Sequence, residues 1–183
     1  MRPSAQPSSY RVPASLRDLV MIDLLTLTGS TAATAALLNT SQPTVSRRSR
    51  AVASDLGLHP QRGVPLGRFR DTPWLEMLRR GVNHHRLAQG VLRVGGDKKW
   101  QSLLINAAWA QWVPLGLRQQ RHWRGLLDLE LLDAVAIAYP TELSDQALSP
   151  YVVVELPQLL DAAAVLVCRR DPLVLEISRR LHP

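Results

Sequence analysis

The stretch from Leu16 to Leu58 constrains this chain more than any other. It reads as three short helices separated by tight punctuation. Leu16, Leu19, Ile22 and Leu25 recur at three-residue steps and predict a first helix over about 16–28 with one buried face. Gly29-Ser30 stops it and caps a second helix over about 31–38, built almost wholly of Ala, Thr and Leu. Asn39-Thr40 is the next turn. Ser41 then caps a third helix, and Pro43 is tolerated because first-turn N–H groups have no intrahelical partner. Val45, Ser49, Val52 and Leu56 fall on one face of it. Pro43, Arg47, Arg50 and Ser54 fall on the other, with Thr44 and Ser46 on the flanks. Gly57 ends it.

Charge singles out the same region. The net charge is +7 over 183 residues. Residues 1–70 hold nine Arg and three Asp, a net of +6, so the remaining 113 residues carry only +1. A charge excess confined to the segment with the basic helix points to a polyanionic partner there. The rest of the composition is that of a chain able to bury a core, with 46% hydrophobic and 20% charged residues. No apolar run approaches the roughly 20 residues needed to span a bilayer. Residues 1–15 are polar, contain three prolines and lack an apolar middle, so they read as a disordered lead, and a cytoplasmic location is expected. The single cysteine, Cys168, excludes an internal disulfide and reads as a buried, inert thiol.

Beyond Gly57 the pattern changes twice. Residues 58–70 are rich in Pro, Gly and Arg and read as a basic loop carrying Arg62, Arg68 and Arg70. Residues 73–89 then predict a helix with Trp74, Leu75, Leu78, Val82 and Leu87 as its apolar stripe. From Gly90 onward short strands alternate with helices. Strands are expected at 91–94, 115–117, 134–139, 151–156 and 163–168, and helices at 98–113 and 126–132. That alternation argues for an α/β layer with a mainly parallel sheet.

The segment 16–58 resembles the winged helix-turn-helix of LysR-type transcriptional regulators. The matching residues are Gly29-Ser30, Ala35 and Leu38, the run Ser41-Gln42-Pro43-Thr44-Val45-Ser46-Arg47, and Leu56-Gly57. Further on, 73–89 looks like the family's linker helix, Gly90–Gly95 like the strand that opens its effector domain, and Leu132–Ile137 like a later strand of it. Asp171-Pro172-Leu173 sits where the family often has His-Pro-Leu. The resemblance implies a disordered lead (1–15), a winged helix-turn-helix (16–70), a linker helix (71–89) and a truncated effector-like α/β domain (90–183). That last domain is similar to half of a periplasmic-binding-protein-like fold. The Leu-Glu pair usual late in the family's third helix is Val52-Ala53 here, and the loop from His59 to Arg70 replaces the usual wing motif.

The implied function is sequence-specific binding of double-stranded DNA by a homodimer joined through 73–89. Gln42 can bond adenine bidentately and an arginine can do so to guanine. Ser41, Pro43, Thr44, Ser46, Arg47, Arg48 and Arg50 complete the expected recognition surface, and Arg62, Arg68 and Arg70 would follow the backbone as a wing. Arg48 is angled nearer the core side than its neighbours. The family places small-molecule contacts near a strand-to-helix junction that corresponds to Gly96, Asp97 and Lys98. A complete inducer cleft is not expected, because the chain stops at Pro183 with one wall of the family's cleft missing. No cofactor, metal site or catalytic motif is expected: His84-His85 point about 100° apart on a helix and have no ligand partner nearby. The reading from a different class is a degenerate regulator acting through protein–protein contact. A half-domain that only binds a small ligand is a third.

Overall fold

The computed structural model describes residues 10–59, 72–104, 107–138, 148–155 and 164–179. The basic loop with Arg62, Arg68 and Arg70 lies outside them, as do residues 1–9 of the expected disordered lead. The described residues pack as two units. One holds 11–59, 72–85 and 115–131. The other holds Tyr10, 86–114 and 132–179, as far as these are described.

In the first unit, a 3-10 turn (Ala14–Leu16) leads into α1 (Arg17–Thr28), followed by α2 (Thr31–Leu37) and α3 (Gln42–Asp55). Gly29 ends α1 in the left-handed region (φ 64°), its N–H bonded to the Leu25 carbonyl. A side chain there would be strained, so glycine fits the position. Ser30 and Ser41 cap the next two helices, accepting from the N–H groups of Ala33 and Thr44 at 3.3 Å each. Met21, Ile22, Ala35, Val45, Val52, Ala53, Leu58 and Leu75 close the core between them. α1 is buried more widely than its predicted stripe. Val20 to Leu25 and Leu27 are all inside.

The same unit contains α4 up to His85 and a later stretch of chain. α4 runs Pro73–Ala88. α6 (Leu117–Arg121) and α7 (Trp123–Asp128) follow one another with a single residue between, and Leu115, Leu126, Leu127 and Leu131 are buried.

The second unit is a five-stranded sheet of β1 (Leu92–Gly96), β2 (Ala110–Pro114), β3 (Ala134–Ala138), β4 (Tyr151–Glu155) and β5 (Ala164–Arg169), in the order β2-β1-β3-β5-β4. β1 pairs parallel with β2 and β3, while β5 pairs antiparallel with β3 and β4. Four strands therefore run one way and β5 alone runs the other, which makes the sheet mainly parallel in direction. The short helix α5 (Gln101–Leu104) and the helix α8 (Pro172–Arg179) belong to this unit. Asp171 caps α8, its Oδ1 accepting from Leu173 N (2.9 Å) and Val174 N (3.2 Å).

Two expected elements are corrected. The helix over 98–113 is a 3-10 turn (Lys98–Trp100) and the single turn α5, and its last four residues belong to strand β2. A short apolar run has no decisive period, and here pairing with β1 from Leu92↔Ala110 to Gly96↔Pro114 decides it. The strand expected at 115–117 is instead the approach to α6, with Gly116 as its N-cap.

Candidate nucleic-acid interface

α3 sorts its side chains by face as its sequence predicts. Val45, Ser49, Val52 and Ala53 are buried, and Leu56 is half-buried. Ser41, Gln42, Pro43, Arg47, Arg50 and Ser54 are exposed, with Thr44 and Ser46 intermediate. The cap fixes the leading turn, because the Ser41 and Thr44 hydroxyls also bond each other at 2.7 Å.

The three arginines of this helix differ in state. Arg47 is exposed and has no hydrogen-bond or ion-pair partner among the described residues. Arg50 folds back along the helix, its Nε donating to the Ser46 carbonyl (3.1 Å) and its Nη2 to the Ser46 hydroxyl (3.4 Å). Arg48 reaches α1 instead. Its Nε and Nη2 both donate to the Asp18 carboxylate, the latter at 3.1 Å. The hydrogen bond to Asp18 and the Asp18 charge raise the pKa of this guanidinium further. The expected surface therefore gathers Ser41, Gln42, Pro43, Arg47 and Arg50, while Arg48 is directed to a partner within the fold.

Gly96 is the last residue of β1, and Asp97 and Lys98 follow it. A Cβ on Gly96 would lie 2.7 Å from Trp112 Cη2 and 2.9 Å from the Ala136 carbonyl, so glycine allows the three strands to close there. Asp97 accepts from Lys99 N at 3.0 Å and caps the 3-10 turn, and Lys98 is exposed. His84 and His85 are exposed, and no group of three potential metal ligands occurs among the described residues. Among those residues, no helix is long and apolar enough to cross a membrane.

Among the described residues, two buried acids, Asp23 and Asp133, hold arginines that no local spacing predicts. In the first unit, Arg79 Nε donates to Asp23 Oδ1 at 2.9 Å, and Arg79 Nη1 donates to the Leu129 carbonyl at 3.3 Å. Both side chains are nearly inaccessible. Asn83 Nδ2 donates to the Glu130 carbonyl (2.7 Å), and Arg80 Nε donates to the Glu130 carboxylate (3.1 Å). α4 is thereby held to α1 and to the end of α7. In the sheet unit, Asp133 is fully buried and receives Arg86 Nη1, the Arg93 backbone N–H (2.7 Å) and Arg169 Nη2 (3.2 Å). Burial alone would raise this carboxyl's pKa. The Arg86 charge and hydrogen bond, the Arg169 charge and the Arg93 amide outweigh burial, and the pKa is lowered. Cys168 is a buried free thiol, pushed up to about 12 by burial and by the Asp133 charge. The available signal was an acid inside an apolar run, Met21-Ile22-Asp23-Leu24-Leu25 and Leu131-Leu132-Asp133-Ala134-Val135. Charged residues in such runs are buried only when paired.

No family model matches the chain, and no curated protein matches it. Among solved structures it is similar to a full-length OxyR variant from Pseudomonas aeruginosa, with 20% identity and a TM-score of 0.37 over 80% of this chain and 55% of that one. It is similar to a full-length variant of AphB, with 14% identity and a TM-score of 0.39 over 78% of this chain and 53% of that one. The chain spans about half the length of these structures. A third similarity, at 16% identity and a TM-score of 0.31 over 77% of this chain and 53% of that one, is to CrgA, a LysR-type transcriptional regulator from Neisseria meningitidis.

Proposed function

We propose that this chain is a DNA-binding transcriptional regulator of LysR-like type, with α3 entering the major groove. The observation that carries the reading is the split of α3. Its apolar face is buried against α1 and α2, while its leading turn and two of its arginines, Arg47 and Arg50, face solvent. A capped helix presented this way suits base-edge contact from its first turns. Gln42 and Arg47 are the base readers in this reading. Ser41, Pro43, Thr44, Ser46 and Arg50 shape and position the turn. Arg48 supports the helix from Asp18, and Arg62, Arg68 and Arg70 add backbone contacts.

The working form is a homodimer, since one recognition helix reads little sequence and two half-sites multiply it. The predicted stripe of α4 divides. Leu75, Val82 and Leu87 are buried within the chain, whereas Trp74 and Leu78 are 37% and 43% exposed, and Met77, outside the predicted stripe, is 69% exposed. The exposed trio, at i, i+3 and i+4, is the seam we assign to the second copy. Residues 16–70, 71–89 and 90–183 then serve as reader, linker and effector-like part, with 115–131 of the last packed in the reader's unit, and the reading requires no small ligand, metal or catalytic group.

Selection of bound fragments from a random duplex pool, followed by gel shift with the selected sequence, tests the proposal. The wild type is expected to enrich a motif and to lose affinity steeply as salt rises. Arg47→Ala is expected to weaken specific binding by about 1–3 kcal/mol with the fold intact. No enrichment, or binding that ignores salt, would overturn the reading in favour of an apolar protein-contact role.

A further inference from the structure

We propose that residues 117–124 form a second phosphate-binding surface, which extends the contact with duplex DNA beyond the helix-turn-helix. The inference rests on the DNA-binding reading above and assigns a role to a stretch which that reading leaves idle.

The run Leu117-Arg118-Gln119-Gln120-Arg121-His122-Trp123-Arg124 holds three arginines and a histidine and no acid. Arg118, Arg121, His122 and Arg124 are all exposed. Arg121 and Arg124 have no carboxylate partner among the described residues. Arg121, His122, Trp123, Arg124 and Gly125 line an open recess of about 380 Å3. The Arg124 guanidinium lies over the Trp123 ring, 5.2 Å from its centre, a cation–π contact that limits where its charge can sit. The backbone beneath is firm. Gln120 Nε2 donates to the Leu115 carbonyl at 2.7 Å, and Leu126 and Leu127 are buried.

Position gives the patch its partner. The segment packs in the same unit as α1, α2 and α3. A Cβ on Gly29 would meet Gln119 Nε2 at 3.1 Å, so α6 lies against the turn that leads into α2. When a helix-turn-helix docks, the helix before the recognition helix crosses the sugar–phosphate backbone. Cations beside that helix are therefore near phosphates. A small anion fits less well, because Arg121, His122 and Arg124 are solvent-exposed and would not shield it from water. Arg47, Arg121 and Arg124 belong to the same unit and are all exposed, so each can add to its attraction for a polyanion.

The test measures the salt dependence of binding to a mixed-sequence duplex, using the full chain. Each lost phosphate contact flattens the slope of log affinity against log salt by about 0.9. R121Q/R124Q is expected to flatten it by about 1.8 with the selected motif unchanged, and R121K/R124K to restore the slope. Circular dichroism on both variants checks the fold, and inorganic phosphate and ATP serve as the small-anion probes. A wild-type slope in R121Q/R124Q, while Arg47→Gln loses affinity, overturns this proposal and leaves the regulator reading standing. A slope that R121K/R124K fails to restore also overturns it, as does binding of phosphate or ATP at this recess without any effect on duplex affinity. Absence of salt-dependent duplex binding by the wild type overturns both.

Discussion

Helices α3 and α4 each carry three arginines, and the two sets meet opposite fates. On α3, Arg47, Arg48 and Arg50 all lie at the surface. On α4, Arg79 and Arg86 are buried, each on a carboxylate and a backbone carbonyl, and only Arg80 is exposed. Residue type therefore says little by itself. A buried guanidinium must find acceptors for its donors, so its role is structural and removing one partner strands a charge. An exposed one without a partner contributes little to folding, and its charge is left for a ligand. The buried set marks how the chain is held together; of the exposed set, Arg48 and Arg80 pair with carboxylates of the same fold, and Arg47 and Arg50 are left for what it touches.

The sharpest way to break this contrast is to remove a buried partner. Arg86→Ala leaves Asp133 inside the sheet unit without its strongest neighbour, and a loss of about 3–5 kcal/mol is expected in urea unfolding. Arg79→Ala, which strands Asp23, is expected in the same range. The fate of Asp133 is also visible in acid. Its folded pKa lies below the unfolded value of about 3.9, so its contribution is complete above that pH and is lost as pH falls toward the lower folded value. Asp133→Asn should remove this portion of the acid dependence in a pH series of thermal melts, besides lowering stability throughout.

A middle-sized effect is expected at the dimer seam. Replacing Trp74 and Met77 together by serine should shift sedimentation toward monomer. Stability of the single chain should fall modestly through Trp74, which is 37% exposed, and change little through Met77, which is 69% exposed. A cooperative loss of folding instead would mean that this face is covered within the chain. The smallest effect belongs to Arg48→Gln. Its pair with Asp18 is solvent-exposed, and such pairs contribute little. The thermal midpoint should stay within the scatter of repeated melts, whereas Arg47→Ala should reduce DNA affinity with the midpoint equally unmoved.

How far the chain was legible follows from the range of the forces involved. The three leading helices could be read because their signals are local: a glycine at φ 64°, two serine caps and a proline in a first turn. The burial of Val45, Ser49 and Val52 followed from helical spacing alone. β2 could not be read this way. Ala110–Pro114 is an edge strand whose identity comes from pairing with β1, eighteen residues away in register. The turn at Gly116 had the same difficulty, since Leu-Gly-Leu has no period of its own. The antiparallel insertion of β5 between β3 and β4 likewise left no mark in the strand itself, because a strand buried on both faces reads as one apolar run in either direction.

The candidate site was half legible for a related reason. Sequence placed Pro43, Arg47 and Arg50 on the open side of α3, because helical periodicity alone determines a face. It could not say that Arg48 would turn to Asp18, that Arg79 would bury against Asp23, or that 115–131 would pack in the same unit as the helix-turn-helix. Those outcomes depend on which distant segment arrives beside each charge. Local chemistry decided where helices start, stop and show their faces, through hydrogen bonds that close within four residues. Tertiary structure decided which charges were left to solvent, because only packing brings a carboxylate from dozens of residues away to an arginine in a dry interior.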